Sequence, residues 1–350
     1  MLNCCLVVEK FVANNSRQLL EIQYLRALAA LAVVAYHAGL RPGLPFGIGA
    51  AGVDIFFVIS GFIMWIVTAQ RPTTPLLFLW NRVARIVPLY WCATLGLVGL
   101  AAAVPALMPN LRPGAEHVIM SLFFVPYVDP LGDIHPVLVP GWTLNYEMFF
   151  YLLFALVVTL PRAVQLRAMT AILGALVLIG LVLPLPGPLF ATYTRPLLLE
   201  FLAGMWLAEA WLAGRLPGRA GGLAMMLLGC AMLLALQVTG TYSDPWRVVI
   251  WGVPSLLIVA GTLAVAPGGL GRLPLAKSLG DASYSIYLTH QLVVGLMWKV
   301  FGWLPGIGFV ALCLVASSLI GLASFRLLER PVTEALKRVG RWPAATPQPA

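Results

Sequence analysis

Charge is scarce in this chain. Asp, Glu, Lys and Arg make up 10% of its 350 residues, and only 13 are acidic. A soluble domain carries about 25% charged residues, and these few cannot cover an apolar content of 61%, so a water-soluble globule is excluded. Cysteine is scarce too: five, an odd number, exclude a disulfide-built secreted module. The four histidines show no paired ligand spacing and the cysteines are scattered, so no metal site is expected. A Walker loop and a dinucleotide glycine fingerprint are absent, and Ser60-Gly61 lacks the flanking glycines of a nucleophile elbow. What is abundant is apolar sequence punctuated by 33 Gly and 27 Pro, the composition of a polytopic, all-α membrane protein. Its net charge of +9 is therefore read through topology, and no nucleic-acid partner is expected.

A helix needs about 20 mostly apolar residues to cross a bilayer. Ten such segments lie near 22–39, 50–69, 86–107, 142–160, 168–185, 192–211, 222–240, 246–266, 282–301 and 306–328. The stretch Val118 to Val125 is too short to span and is expected as an interfacial or re-entrant helix. With the N-terminus inside, 16 of the 22 basic residues fall on the inner side, five on the outer side, and Arg26 lies within the first helix. That asymmetry obeys the positive-inside rule and makes both termini cytoplasmic. Residues 1–21 and 329–350 are then cytoplasmic tails around a transmembrane domain of 22–328. Cys4 and Cys5 are expected as incidental thiols of the first tail rather than lipid attachment sites. Arg outnumbers Lys 18 to 4, which suggests a GC-rich bacterium and its inner membrane.

Ionisable groups inside a membrane require a partner, water or a role. Arg26 and His37 are eleven residues apart on the first helix, three turns plus about 20°, so they share a face at levels about 16 Å apart. Asp54 enters with the second helix near the depth of His37. It would either orient that imidazole for acid–base work or merely cap the helix. Glu147, within two turns of the outer surface, has the same two readings. Arg195 and Glu200 are expected to form a structural ion pair. His290 is read first as a packing residue, and His117 and His135 as solvated. Arg82 and Arg85, three residues apart at a helix start, suit phosphate or pyrophosphate, or else lipid headgroups. Glu329 is a carboxylate partner for them.

The residues that carry chemistry fall into ordered blocks: Leu25-Arg26-Ala27 with Tyr36-His37, Gly52 to Phe62, Arg82 to Pro88 with Tyr90, Trp142 to Tyr151, Ser283 to His290, and Glu329-Arg330-Pro331. On these the chain, from residue 20 to about 335, resembles the acyltransferase 3 family of bacterial membrane acyltransferases, in particular stand-alone members that modify exopolysaccharide. The resemblance implies transfer of a short acyl group, usually acetyl, from cytoplasmic acyl-CoA to a hydroxyl of a cell-envelope glycan. It also links Arg26, His37, Arg82 and Arg85 to acyl-CoA use. Some relatives add an SGNH-type hydrolase-like domain. None is visible here, so direct transfer to the acceptor is expected.

In the mechanism these readings suggest, Arg82, Arg85 and Arg26 hold the phosphates of acyl-CoA. His37, oriented by Asp54, takes the proton from the attacking hydroxyl, and Glu147 binds or orients the acceptor. Tyr284, Tyr287, Ser60 and Trp142 are candidate oxyanion donors, with His290 and Glu329 as secondary site residues. Direct attack and a covalent acyl-enzyme both remain open. Expected partners are the glycan, the bilayer and polysaccharide biosynthesis machinery. Two other classes compete: a transporter or flippase for a lipid-linked saccharide, and a scaffold in an export complex. Against the transporter, no inverted repeat is visible.

Overall fold

A computed structural model describes residues 19–44, 46–108, 111–183, 185–240, 246–265 and 273–339. Cys4 and Cys5 lie outside the described residues. Each of the ten apolar segments contains a helix. They are α1 (Leu20–Leu40), α2 (Gly52–Gln70) and α3 (Pro75–Ala103), then, after a short α4 (Ala115–Leu122), α5 (Trp142–Val157) and α6 (Arg162–Val182). A short α7 (Pro188–Tyr193) leads to α8 (Leu198–Leu212), α9 (Arg219–Thr239) and α10 (Val253–Val265). The chain closes with α11 (Pro274–Asp281), α12 (Ser283–Phe301), α13 (Gly306–Ser324) and α14 (Arg330–Val339). Among the described residues there is no strand, only an isolated bridge between Val128 and Ile134.

Six helical stretches are long and apolar enough to cross a membrane, against the ten expected. The other four have a physical reason for falling short. Helices α5 and α8, at 16 and 15 residues, are shorter than the span length. Helices α1 and α12 carry Arg26, His37, His290 and Lys299 among their residues. Three of these four, α1, α5 and α12, line the cavities of the candidate site.

Helix α3 begins at Pro75, well before the expected residue 86, because Thr74 caps it and Pro75 is preset for the first turn. The Thr74 Oγ1 accepts the backbone N–H of Leu77 at 3.3 Å. Arg82 and Arg85 consequently sit inside a helix rather than at its start.

Helix α2 is the centre of the bundle, buried along most of its length. It crosses α8 at backbone contact: a Cβ on Gly61 would strike the Phe201 carbonyl oxygen, and one on Gly204 would strike that of Val58. Small residues permit such approach between apolar helices. Phe201 stacks on Phe57 at 4.6 Å and on Phe150 at 4.7 Å, tying α2, α5 and α8 into one core. Helices α6 and α9 instead turn Leu178, Leu181, Leu227 and Leu234 outward, leaving exposed apolar faces.

Both described chain ends lie at one end of the bundle, where Gln23 and Lys337 line the same cavity. This is the terminal end, and the segment between α4 and α5 marks the opposite, loop end. In the segment expected as a tail after residue 328, a π turn (Phe325–Glu329) joins α13 to α14, which packs against α3.

Candidate active site

Three cavities follow one another through the bundle. The terminal cavity, about 450 Å³, is lined by Arg26, Arg85, Lys277, Glu329, Arg330 and Lys337 among others. Arg26 and Arg85 also line a throat of about 90 Å³ beside α2 and α5. Val53 and Tyr287 line both that throat and a loop-end cavity of about 660 Å³, which holds His37, Trp142 and His290. The two α1 residues singled out by their spacing, Arg26 and His37, thus belong to successive levels of one series.

His37 is oriented by neighbours other than the one expected. Its Nδ1 lies 3.0 Å from the Val33 carbonyl oxygen and 3.2 Å from His290 Nε2. A carbonyl can only accept, so His37 Nδ1 carries the proton. His290 Nδ1 faces the Tyr287 carbonyl and carries a proton for the same reason, which leaves His290 Nε2 as an acceptor. The free lone pair of His37 is therefore on Nε2, the nitrogen a proton-accepting base needs. His290 is fully buried while His37 is half-buried on the cavity wall, so the first acts on the second and not on solvent.

Asp54 does not serve His37. It is fully buried, and Arg247 grips both its oxygens, Nε to Oδ1 at 3.1 Å and Nη2 to Oδ2 at 2.8 Å. A guanidinium fork matches a carboxylate in this two-point geometry, which outcompetes a single imidazole N–H. Arg247 also lies over the Trp251 ring at 4.5 Å and near Trp142 at 5.7 Å, and it lines the loop-end cavity. Asp54 therefore anchors a cavity cation. The expected Arg195–Glu200 pair is not formed either. Glu200 is buried against Gly252 with its carboxyl group beside that of Asp54, and Arg195 lines the loop-end cavity.

Glu147 lines the throat and not the loop-end cavity. Ser60 Oγ donates to its Oε1 at 3.0 Å, and the Tyr151 hydroxyl donates to the same oxygen. The paired arginines separate. Arg85 reaches both the terminal cavity and the throat, whereas Arg82 is packed over the rings of Phe78 and Tyr151, at 5.9 and 6.0 Å, with Nη1 on Met64 Sδ. Arg82 does not line the terminal cavity. Arg26 donates through Nε and Nη2 to Ser283 Oγ at 3.1 and 2.9 Å, which fixes it at the cavity junction.

Tyr284 lines the throat but donates its hydroxyl to the Ile86 carbonyl at 2.8 Å. Tyr287 stands at the junction of throat and loop-end cavity, its hydroxyl near Thr143 Oγ1 (3.1 Å) and the Pro140 carbonyl (3.3 Å). Glu329 accepts from Ser285 Oγ at 2.6 Å and makes no ion pair with Arg82 or Arg85 among the described residues. His117, expected to be solvated, is buried with Nε2 on the His135 carbonyl at 2.8 Å. Asp129, Asp133 and His135 bring ligand atoms within 4.8 Å of one another, although Asp129 Oδ1 already accepts the N–H groups of Leu131 and Asp133.

Several cavity residues were given no individual role by the sequence reading, Arg247 of the loop-end cavity among them. Asn145 lines the loop-end cavity, and its side-chain oxygen is buried without a donor among the described residues. Lys277, Arg330 and Lys337 supply the terminal cavity with charge. The spacing of Arg330, Glu334 and Lys337, one turn apart each, was the available signal for the last two.

The family model described as an acyltransferase domain matches residues 19–326. The exopolysaccharide production protein ExoZ of Rhizobium meliloti is 45% identical over 302 residues, covering 85% of this chain and 93% of that protein. The peptidoglycan O-acetyltransferase OatA of Listeria monocytogenes is 27% identical over 351 residues, covering 89% of this chain and 55% of that protein. The O-acetyltransferase OatA of Staphylococcus aureus is 27% identical over 366 residues, covering 91% and 58%. This chain thus spans little more than half the length of the two OatA proteins. No solved structure matches.

Proposed function

The chain belongs to the acyltransferase 3 family, and from that premise we propose that it is a multi-pass protein of a bacterial inner membrane that moves an acyl group, acetyl in the simplest case, from cytoplasmic acyl-CoA to a hydroxyl of an exopolysaccharide or related envelope glycan. One observation carries this reading: a broad cavity rich in cations narrows to a throat and reopens around an imidazole with a free Nε2. That outline suits a donor with a polyanionic head and a thin arm, whose thioester must meet an acceptor on the far side.

In this proposal the terminal end is cytoplasmic, and Arg26 and Arg85 meet the donor where its arm enters the throat. The thioester carbonyl comes to rest near Tyr287. A glycan hydroxyl in the loop-end cavity gives its proton to His37 Nε2 as its oxygen attacks that carbonyl. As the C–S bond breaks, the departing CoA thiolate takes that proton back from His37 Nε2, which restores the neutral imidazole. His290 keeps the His37 proton on Nδ1. Trp142, Arg247 and the Asn145 carbonyl oxygen are suited to a sugar, giving it an apolar face, a cation and an acceptor. Among the hydroxyls near the reacting carbonyl, Tyr287 is the candidate oxyanion donor, its proton turning from the long bond to the Pro140 carbonyl onto the developing charge.

The test is chemical. Purified protein given acetyl-CoA and the surface glycan of its host should release free CoA and add the mass of one acetyl group per modified sugar. Transport of the glycan with the thioester left intact would overturn the reading.

A further inference from the structure

Helix α14 does not behave as a trailing segment. The continuous helical stretch Gly306–Val339 has 34 residues, about 51 Å at the α-helical rise, and outruns a hydrocarbon core of about 30 Å. Its last ten residues are polar, and they are pinned to α3 at two points. Trp80 Nε1 donates to the Leu336 carbonyl at 3.0 Å, and Thr333 Oγ1 donates to the Ala84 carbonyl at 3.2 Å. The second acceptor exists because of sequence: Pro88, four residues on, has no N–H, so the Ala84 carbonyl is left without its helical partner. A π turn just before α14 turns Glu329 inward onto Ser285 and brings Arg330 to the terminal cavity.

The charges facing that cavity do not cancel. Lys277 pairs with Asp281 at 2.6 Å and Arg330 with Glu334 at 2.8 Å, both within one helix. Arg85 and Lys337 make no close ion pair among the described residues, and with Glu329 the only other carboxylate in the lining, five cations face three carboxylates, Arg85 and Lys337 from opposite elements, α3 and α14. Cations that merely meet lipid headgroups would point outward from the bundle. These line an open-mouthed cavity of about 450 Å³ between α3, α11 and α14.

We propose that α14 forms one wall of the donor site, with Lys337 and Arg330 closing against Arg85 and Lys277 on phosphate groups. This rests on the acyl-CoA reading above. The ligand chemistry is a phosphate ester next to a pyrophosphate, and the nucleotide end of the donor is the source. An anionic phospholipid headgroup presents similar chemistry and is distinguished by experiment. Binding a polyanion between two elements also holds α14 down on α3, so donor occupancy and helix docking are linked.

The experiment measures CoA binding by calorimetry to the full chain in a neutral detergent, alongside acetyl-pantetheine, which has the arm without nucleotide phosphates. Lys337→Ala should weaken CoA binding about tenfold, the loss of one charge-assisted contact, and leave acetyl-pantetheine affinity as it was. Lys337→Arg should restore most of it. Trp80→Phe keeps every charge but removes the hydrogen bond that docks α14, and should weaken CoA by a smaller factor. Amide exchange in 330–339 should slow when CoA binds. Equal CoA affinity in wild type and Lys337→Ala, with the protein folded by size exclusion, overturns the role of α14 and leaves the donor reading standing. No CoA binding by the wild type overturns both. If added phosphatidylglycerol, and not CoA, binds in a Lys337-dependent way, the cavity belongs to lipid and the proposal falls.

Discussion

His290 Nε2 lies 3.2 Å from His37 Nδ1, and the two rings are held at 4.8 Å between centroids. One imidazole has no other visible task than to fix the tautomer of the other. His37→Ala should therefore lose about 10²–10⁴ in turnover, the usual contribution of a general base, with donor binding intact. His290→Ala should lower kcat by a smaller factor with little change in KM for either substrate, and His290→Gln, which keeps an acceptor, should recover part of it. The check is free-thiol release from acetyl-CoA, with monodispersity confirming the fold.

Asp54 and Arg247 predict a different phenotype. Removing one partner strands the other as a buried charge, so Asp54→Ala or Arg247→Ala should each destabilise by about 3–5 kcal/mol. The double change to leucine should recover much of the loss, because the lone charge is then gone. Thermal melts in detergent measure this. A stable Asp54→Asn protein whose defect lies only in kcat would instead make Asp54 the orienting partner of His37.

The two arginines of α3 should part company. Arg85 faces the terminal cavity and the throat, so Arg85→Ala should raise KM for acyl-CoA about ten- to a hundredfold, the range for lost hydrogen bonds to a charged group. Arg82 packs on Phe78, Tyr151 and Met64. Arg82→Met should change melting temperature more than KM. Steady-state kinetics with acyl-CoA as the varied substrate separates the two.

Gly61 and Gly204 set the crossing of α2 and α8. Gly61→Leu would force the helices apart against the Phe201 carbonyl, and overpacking of this kind costs about 1–3 kcal/mol or more. The fraction recovered as a monodisperse peak should fall sharply, and Gly96→Leu, with open space at that position, should not show it.

Long apolar runs made the helices legible from sequence, since hydropathy is local: all ten expected segments contain helices, and the Arg26–His37 spacing put both on one series of cavities. Partners were another matter. Asp54 and Arg247 are 193 residues apart, and His37 and His290 are 253; no periodicity reports which of several polar groups at one level will meet. The partners of Glu147 were hidden as well, because helix position does not say that its carboxylate meets the hydroxyls of Ser60 and Tyr151. Arg82 and Arg85 looked like a pair because three-residue spacing puts them on neighbouring positions, yet packing on Tyr151 turned one away. Helix α14 was hidden by its polarity, which reads as a tail when only apolar runs are scored.

The narrow middle section matters for the host cell as well as for the reaction. A line of hydrated chambers crossing an energised bilayer would short-circuit ion gradients if it ran open. Val53, Phe57 and Tyr287 border the constriction, so these side chains are placed to act as insulation, and on the proposed reading a donor's slender arm would be a stopper that conducts an acyl group but no current. An enzyme of this build must keep that passage tight in every state, which sets a ceiling on how far it can be widened to admit bulkier acyl chains.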